Sequence, residues 1–345
     1  MKLTYEQISA ICQGAVRSAK TENGVGLYRF TEEQEEIYKR VSEDFYKKSR
    51  ATAGVKLCFE TDSSALFLCV NVKRASSRQY FSIDVMVNGE PVGYLDNFSN
   101  IEIPQAYATI RCLQGKFSKQ FALGEGTKQV CLYLPWSMEV EIQELSLDDG
   151  AWIKPIKAAK KLLAFGDSIT QGYDALRPSN RYAAKLAEAL GAEEVNKGIG
   201  GERFFPELAE TQESFEPDYI TVAYGSNDWS KSEEDEFKEK CQAFYAALNR
   251  NYPNARIFAI TPIWRKDYTA EKMFGSFHKV SEDIENIVKE FENITCIHGF
   301  EFVPQEEKYF ADLRLHPNDE GFEEYFRSLY REILPGEDPD EFSVQ

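Results

Sequence analysis

The chain has 345 residues, of which 43% are hydrophobic and 13% aromatic. This length exceeds what one compact core usually holds, and this composition argues against global disorder, so two domains are expected. The formal net charge of −17 repels phosphate backbones and anionic membranes, which argues against nucleic-acid or membrane binding and weakly favours a neutral or cationic substrate.

The N-terminal segment, residues 1–50, is predicted to be helical or irregular and to pack on the core. Ile8, Ile11 and Val16 form only a loose apolar stripe, whereas Thr31, followed by acidic residues, is typical of a helix start. The first residues lack the apolar centre of a signal peptide, and no run is long enough to span a bilayer. We therefore expect a soluble, cytoplasmic protein.

A hydrophobic period of two dominates residues 51–150. Apolar residues alternate with polar or small ones between Val55 and Phe59 and again between Leu66 and Val72. The dipeptide Asn88-Gly89, a strong hairpin signal, follows a further alternating run at 83–87 and precedes Pro91-Val92. Several short alternating strands separated by turns predict a β-sandwich domain.

The seven cysteines include no CxxC pair, and most lie inside apolar, strand-like runs, as Cys58 and Cys131 do. Free cysteine is among the most buried residue types, and disulfides are rare in reducing compartments. We therefore expect the cysteines to be small, buried and unpaired, in agreement with a cytoplasmic location.

Residues 156–338 follow a different pattern, which begins after the turn at Asp148-Asp149-Gly150. Short continuous apolar runs, typical of strands buried on both faces, are separated by amphipathic helical stretches. Alternation of strand and helix predicts an α/β domain with a parallel sheet between helices. The apolar runs are residues 162–165, 219–224, 256–260 and 294–297.

Polar residues follow these runs, at the sheet edge where ligands bind in open parallel sheets. Ser168 lies in a Gly-Asp-Ser turn after the first run, Gly201 in a glycine-rich turn, and Asn227 after the second run, while His316 precedes the last helix. Acyl transfer needs a nucleophile, a base that takes its proton and donors for the oxyanion. We expect Ser168 as nucleophile, His316 as general base, and the N–H groups of Ser168 and Gly201 with the Asn227 amide as oxyanion hole.

These four segments, in this order, resemble the consensus blocks of the SGNH (GDSL-type) hydrolase superfamily, and the resemblance covers about residues 160 to 335. It implies a three-layer α/β/α fold and hydrolysis of esters through an acyl-enzyme, with no cofactor. The preceding sandwich is similar in arrangement to carbohydrate esterases that carry a jelly-roll domain before the hydrolase domain. That likeness implies short acyl esters as substrates, with acetyl groups on a carbohydrate as the leading class.

The sequence departs from this family at the third member of the triad. The family usually has Asp three residues before the histidine, but that position is Leu313, and Asp312 lies one residue further back. Either the loop absorbs the extra residue and Asp312 completes the triad, or a backbone carbonyl orients His316 in a Ser-His dyad. Asp312 is the preferred candidate.

The remaining predictions concern substrate binding, metal binding and the alternative functions. Trp264 and Trp229 follow strands and are candidate substrate platforms, although packing would explain Trp264 equally well. No His, Cys or Asp cluster has convincing metal-ligand spacing, so no metal is expected. A lipid or thioester hydrolase, which needs an apolar acyl channel, and a glycan-binding protein on a hydrolase scaffold remain alternatives. The oligomeric state is left open.

Overall fold

The computed structural model describes residues 1–99, 101, 103, 110–337 and 339. In these residues no helix is both long and apolar enough to cross a membrane. The helices are α1 Tyr5–Ile11, α2 Glu32–Val41, α3 Glu43–Ser49, α4 Ser168–Gln171, α5 Tyr182–Ala189, α6 Pro206–Glu210, α7 Ser226–Lys231, α8 Glu234–Asn251, α9 Phe277–Val288 and α10 Asp319–Ile333. The strands are β1 Cys12–Gln13, β2 Arg17–Thr21, β3 Gly24–Tyr28, β4 Lys56–Thr61, β5 Ala65–Arg74, β6 Ser82–Val87, β7 Glu90–Asp96, β8 Gly115–Ala122, β9 Lys128–Tyr133, β10 Met138–Leu147, β11 Ile153–Pro155, β12 Lys160–Gly166, β13 Ala192–Asn196, β14 Tyr219–Ala223, β15 Arg256–Ile260 and β16 Ile294–Ile297.

The C-terminal half is built on a parallel sheet of five strands in the order β13-β12-β14-β15-β16. Successive side chains of a strand point to opposite faces. Leu162 accordingly packs in one core with α5 and α10, and Leu163 packs in another with α6, α8 and α9. The predicted parallel sheet between helices is confirmed. Because β12 lies between β13 and β14, the loops after these three strands lie side by side.

The N-terminal half contains two antiparallel sheets. One has the order β1-β4-β9-β6-β7, with β11 beside β4, and the other has the order β2-β3-β10-β5-β8. Their apolar faces share one core, in which Leu57 and Leu132 of the first sheet meet Leu68 and Val140 of the second. The predicted hairpin between β6 and β7 is present, and both of its turn residues have positive φ.

The expectation of a helical or irregular N-terminal segment is wrong over residues 17–28. These residues form the β2–β3 hairpin, and β3 extends the second antiparallel sheet by pairing with β10. The hairpin has no alternating pattern because β2 is only partly buried and β3 contains Gly24 and Gly26, which have no side chain to alternate. The helix predicted after Thr31 is present as α2, and the Thr31 hydroxyl accepts the N–H of Gln34.

The expectation of unpaired cysteines is wrong for Cys58 and Cys131. They face each other in the register of β4 and β9, with a Cα–Cα distance of 4.3 Å, and form a disulfide. The pair is separated by 73 residues, so only the strand register brings the two side chains together. The free cysteines of the described chain are Cys12, Cys69, Cys112, Cys241 and Cys296.

Candidate active site

Ser168 is the first residue of the short helix α4, directly after the tight turn that follows strand β12. Gly166 ends the strand, where a Cβ atom would fall 2.1 Å from Oγ1 of Thr170, so only glycine fits. The Asp167 carboxylate accepts the N–H of Ile169 at 2.9 Å and caps the helix. The turn therefore holds Ser168 at the carboxyl edge of the sheet.

Ser168, His316 and Asp312 form a continuous hydrogen-bonded chain. Oγ of Ser168 lies 2.9 Å from Nε2 of His316, and Nδ1 of His316 lies 2.8 Å from Oδ2 of Asp312. In the tautomer that carries its proton on Nδ1, the imidazole donates to Asp312 and accepts from the serine hydroxyl. This is the arrangement that a serine nucleophile and its general base require.

The loop before His316 absorbs the extra residue through its backbone conformation. Leu313 takes a left-handed conformation with φ of 56°. The loop then curls around Asp312, whose Oδ1 accepts the N–H groups of Arg314 at 3.0 Å, Leu315 at 2.7 Å and His316 at 3.1 Å. In this geometry Nδ1 of His316 faces the Asp312 carboxylate, which is the first of the two alternatives that the sequence left open.

The same contacts keep Asp312 ionised. Burial alone would raise the pKa of Asp312, but the hydrogen bond and charge of His316, with the N–H groups of Leu315 and His316, hold that pKa well below its usual value. Asp312 is therefore a carboxylate at neutral pH, the form that accepts the Nδ1 proton and stabilises an imidazolium.

The oxyanion donors named from the sequence lie in the loops after β12, β13 and β14. Gly201 has φ of 86°, a conformation that favours glycine. Within the described part of the chain, the N–H groups of Ser168 and Gly201 donate no hydrogen bond, so both remain available. Nδ2 of Asn227 donates to Oδ2 of Asp167 at 3.1 Å and to the carbonyl of Glu202 at 3.0 Å. A bound oxyanion would have to share one of these two protons.

The pKa of the Asp167 carboxyl, which caps α4, is also shifted from its ordinary value. Burial raises the pKa of Asp167 to about 6, although the N–H of Ile169 and the positive charges of His316, Arg265 and Lys231 oppose this. Burial likewise raises the pKa of Asp228, directly after Asn227, to about 7. Perturbed carboxyl groups of this kind cluster at functional sites.

The glycine-rich turn at residues 198–201 is held in place by two residues, Arg29 and Gln171, whose roles the sequence did not reveal. Arg29 is fully buried and donates to the carbonyl oxygens of Asn196 at 3.0 Å and Gly198 at 2.7 Å. Gln171 accepts the N–H of Gly200 at 2.8 Å and donates to the carbonyl of Trp136 at 2.9 Å. The only available signal for Arg29 was a charged residue inside the apolar run 25–30.

The prediction that Trp229 and Trp264 serve as substrate platforms is wrong in this structure. Trp229 is fully buried, donates from Nε1 to the carbonyl of Gly275 at 2.9 Å and packs against Phe277. Trp264 is 7% exposed and packs against Phe310, with ring centroids 5.0 Å apart. Position after a strand did not determine where these rings point; both point into the core.

Asp174, Asp312 and His316 are the three described side chains whose ligand atoms lie close enough to hold a cation, within 4.8 Å of one another. All three are already engaged. Arg78 donates to both oxygens of Asp174, Asp312 accepts three backbone N–H groups, and His316 contacts Ser168. These three side chains therefore fit a hydrogen-bonded cluster better than a metal centre.

Comparison with known proteins gives one family model and several similar folds. Residues 164–323 match the model of the GDSL-like Lipase/Acylhydrolase family. A search of curated proteins finds no significant match. Among solved structures, the salicylyl-acyltransferase SsfX3 from a tetracycline biosynthetic pathway aligns with a TM-score of 0.75 at 18% identity and covers 93% of both chains.

Two further structures align along nearly the whole chain. A protein from Bacteroides ovatus, described as a GDSL-like lipase, has a TM-score of 0.75 at 20% identity and covers 97% of this chain and 98% of its own. An acetyl xylan esterase from the rumen bacterium Butyrivibrio proteoclasticus has a TM-score of 0.62 at 16% identity and covers 96% and 98%. At these identities the likeness shows a shared fold.

Proposed function

The chain belongs, through residues 164–323, to the GDSL-like lipase/acylhydrolase family of carboxylic ester hydrolases, and we propose that it is a serine esterase for short acyl esters. The leading substrate is an acetyl group on a carbohydrate. The observation that supports this most directly is the chain of contacts from Ser168 through His316 to Asp312. Residues 156–338 would form the catalytic domain, and residues 51–150, with the segment 1–50, a jelly-roll-like accessory domain.

The proposed mechanism has two acyl-transfer steps. Oγ of Ser168 attacks the ester carbonyl as Nε2 of His316 takes the hydroxyl proton, and the imidazolium then gives this proton to the leaving alcohol. Water, deprotonated by the same nitrogen, next attacks the acyl-enzyme; the bond from the acyl carbon to Oγ then breaks, the imidazolium returns the proton to Oγ of Ser168, and the acid leaves. Asp312 holds the imidazole and stabilises its charged form in both steps.

The oxyanion formed in each step needs donors that are already in place. We assign this role to the N–H groups of Ser168 and Gly201 and to the amide of Asn227, which Asp167 and Glu202 orient. These two contacts hold Nδ2 of Asn227 in place before the substrate arrives, and the oxyanion would share one of its two protons.

The expected preference is for short acyl groups. Two charged groups occur near the site in the described chain: Arg314, two residues before His316, pairs with Asp267, and the Lys231 ammonium reaches the carbonyl of Gly201. A rim of this kind offers little apolar surface to a long acyl chain. The likeness in fold to an acetyl xylan esterase supports the same reading.

A series of p-nitrophenyl esters tests this preference. We expect kcat/KM to be higher for acetyl than for butyryl or octanoyl esters, and acetylated oligosaccharides to be deacetylated. Faster cleavage of the octanoyl ester would favour a lipid hydrolase. Absence of hydrolysis on every ester, with sugar binding retained, would favour the glycan-binding alternative. Added alcohol acceptors would show whether the acyl-enzyme also transfers to an alcohol.

Replacing Asn227 with alanine tests the oxyanion assignment. We expect Asn227→Ala to lower kcat by roughly 10²–10³ with little change in KM, as for one lost oxyanion donor. Steady-state kinetics on the acetyl ester measure both constants. Asn251→Ala is the matched control, because Asn251 binds carbonyl groups at the far end of α8. A change confined to KM would make Asn227 a ground-state binding residue instead.

A further inference from the structure

We infer that Asp174 is a second carboxylate acceptor for Nδ1 of His316, a positioning residue that shares with Asp312 the task of holding the imidazole, and that the sandwich sets its position through Arg78. The inference rests on the proposed serine-esterase function. It goes beyond that function because it assigns a role to Asp174 and to the sandwich, neither of which belongs to the triad.

The geometry around Nδ1 carries the inference. Oδ2 of Asp174 lies 3.4 Å from Nδ1 of His316, on a side chain that is fully buried, while Oδ2 of Asp312 lies 2.8 Å from the same nitrogen. The hydrogen bond of Nδ1 goes to Asp312, and Oδ2 of Asp174 lies within ion-pair distance of the same nitrogen, next to the accepting oxygen. No other charged partner of this nitrogen occurs among residues 1–99 and 110–337.

Asp174 is fixed from the sandwich side. Arg78 donates from Nε to Oδ1 at 2.6 Å and from Nη2 to Oδ2 at 2.7 Å, and the Tyr80 hydroxyl donates to Oδ1 at 3.1 Å. Both residues lie between β5 and β6, about a hundred positions before Asp174 in the chain. A two-pronged arginine contact fixes the plane of a carboxylate, and it compensates much of the cost of burying the charge.

The segment around Asp174 is also clamped by aromatic contacts. The Tyr173 ring stacks on the His316 ring with centroids 5.6 Å apart, and Trp136 of the sandwich packs against Tyr173 at 4.9 Å. Nε1 of Trp136 donates to the carbonyl of Ala175 at 2.9 Å. The sandwich therefore contacts each of residues 173, 174 and 175, which form the wall behind the catalytic imidazole.

This arrangement has a consequence for the triad. The proton that moves during acyl transfer travels between Ser168, Nε2 of His316 and the leaving alcohol, and it never reaches Asp174. Asp174 acts only through Nδ1, as an acceptor that keeps the proton on that nitrogen when Asp312 is altered. Because Arg78 balances the charge of Asp174, its contribution is mainly to orientation and tautomer.

A double-mutant cycle on kcat tests this sharing. We expect Asp312→Asn to lower kcat by about 10²-fold, less than the ~10⁴ seen where one carboxylate holds the histidine, and Asp174→Asn to lower it by about tenfold or less. The double variant should lose about 10⁴, more than the product of the two single effects, with KM within about twofold throughout. Asparagine tolerates the left-handed backbone at position 174, where φ is 72°.

The cycle distinguishes positioning from a structural role. If Asp174 only stabilises the fold, its replacement should lower the thermal midpoint and the fraction of sites titrated by a fluorophosphonate. It should also reduce kcat by the same factor in the parent and in the Asp312→Asn variant. Such multiplicative losses would overturn the inference. Asp96→Asn is the matched control, since Asp96 pairs with Arg177 across the same interface but contacts no atom of His316 among the described residues.

Two further measurements keep the inference testable. If Asp174→Asn does not fold, Arg78→Lys removes the two-pronged contact, and we expect it to lower kcat several-fold more in the Asp312→Asn background than in the parent. Proton NMR of the low-field Nδ1–H of His316 requires no activity, so it separates this inference from the proposed function. The resonance should persist in Asp312→Asn and disappear in the double variant. Its loss in Asp312→Asn alone would refute a second acceptor.

Discussion

A Ser168→Ala variant should lose about 10⁶-fold of its turnover on an acetyl ester while remaining folded. The hydroxyl is the group that forms the acyl-enzyme, and no other described side chain lies in hydrogen-bond contact with Nε2 of His316. Removal of one hydrogen bond from a residue at a turn should cost only about 1 kcal/mol of stability. Turnover per mole of protein and thermal unfolding of the same preparation measure the two effects.

The matched control for this variant is Ser276→Ala. Ser276 is exposed, precedes α9 and makes no side-chain cap. It should leave turnover and labelling by a fluorophosphonate unchanged, whereas Ser168→Ala should not be labelled. Near-normal turnover in a folded Ser168→Ala protein would show that the nucleophile lies elsewhere.

The parallel sheet and the four site segments could be predicted because their signals are local. Buried strands such as β12 and β14 are short apolar runs, and the residues directly after them are brought to one edge by parallel pairing. This rule alone was enough to predict that Ser168 and Asn227 lie at that edge. His316 needed, in addition, its place before the last helix, which the sequence also marks.

The supporting contacts could not be predicted because they join distant parts of the chain. Arg78 meets Asp174 across 96 residues, and Arg29 meets Gly198 across 169 residues, through packing that no local pattern encodes. The disulfide of Cys58 and Cys131 depends likewise on strand register. The partner of His316 lay close in sequence but still required the backbone conformation of Leu313.

Replacing His316 with glutamine should lower turnover by about as much as loss of Ser168, roughly 10⁶-fold, because nucleophile and base act as one unit. Glutamine keeps a polar side chain of similar reach but cannot take up the serine proton at neutral pH. The variant should therefore form the acyl-enzyme very slowly, and its labelling by a fluorophosphonate should fall together with its turnover.

The combined variant of Ser168→Ala and His316→Gln makes the sharper test. If the two residues act as a unit, the double variant should be no slower than either single one, and the hydrolysis that remains should reflect the oxyanion donors alone. His298→Gln is the matched control. His298 directly follows β16, is exposed, and has its Nε2 3.8 Å from Oε2 of Glu285. It should retain full turnover. Turnover that survives in His316→Gln would require another base at Ser168, and neither His278 nor His298 contacts Ser168 in the described chain.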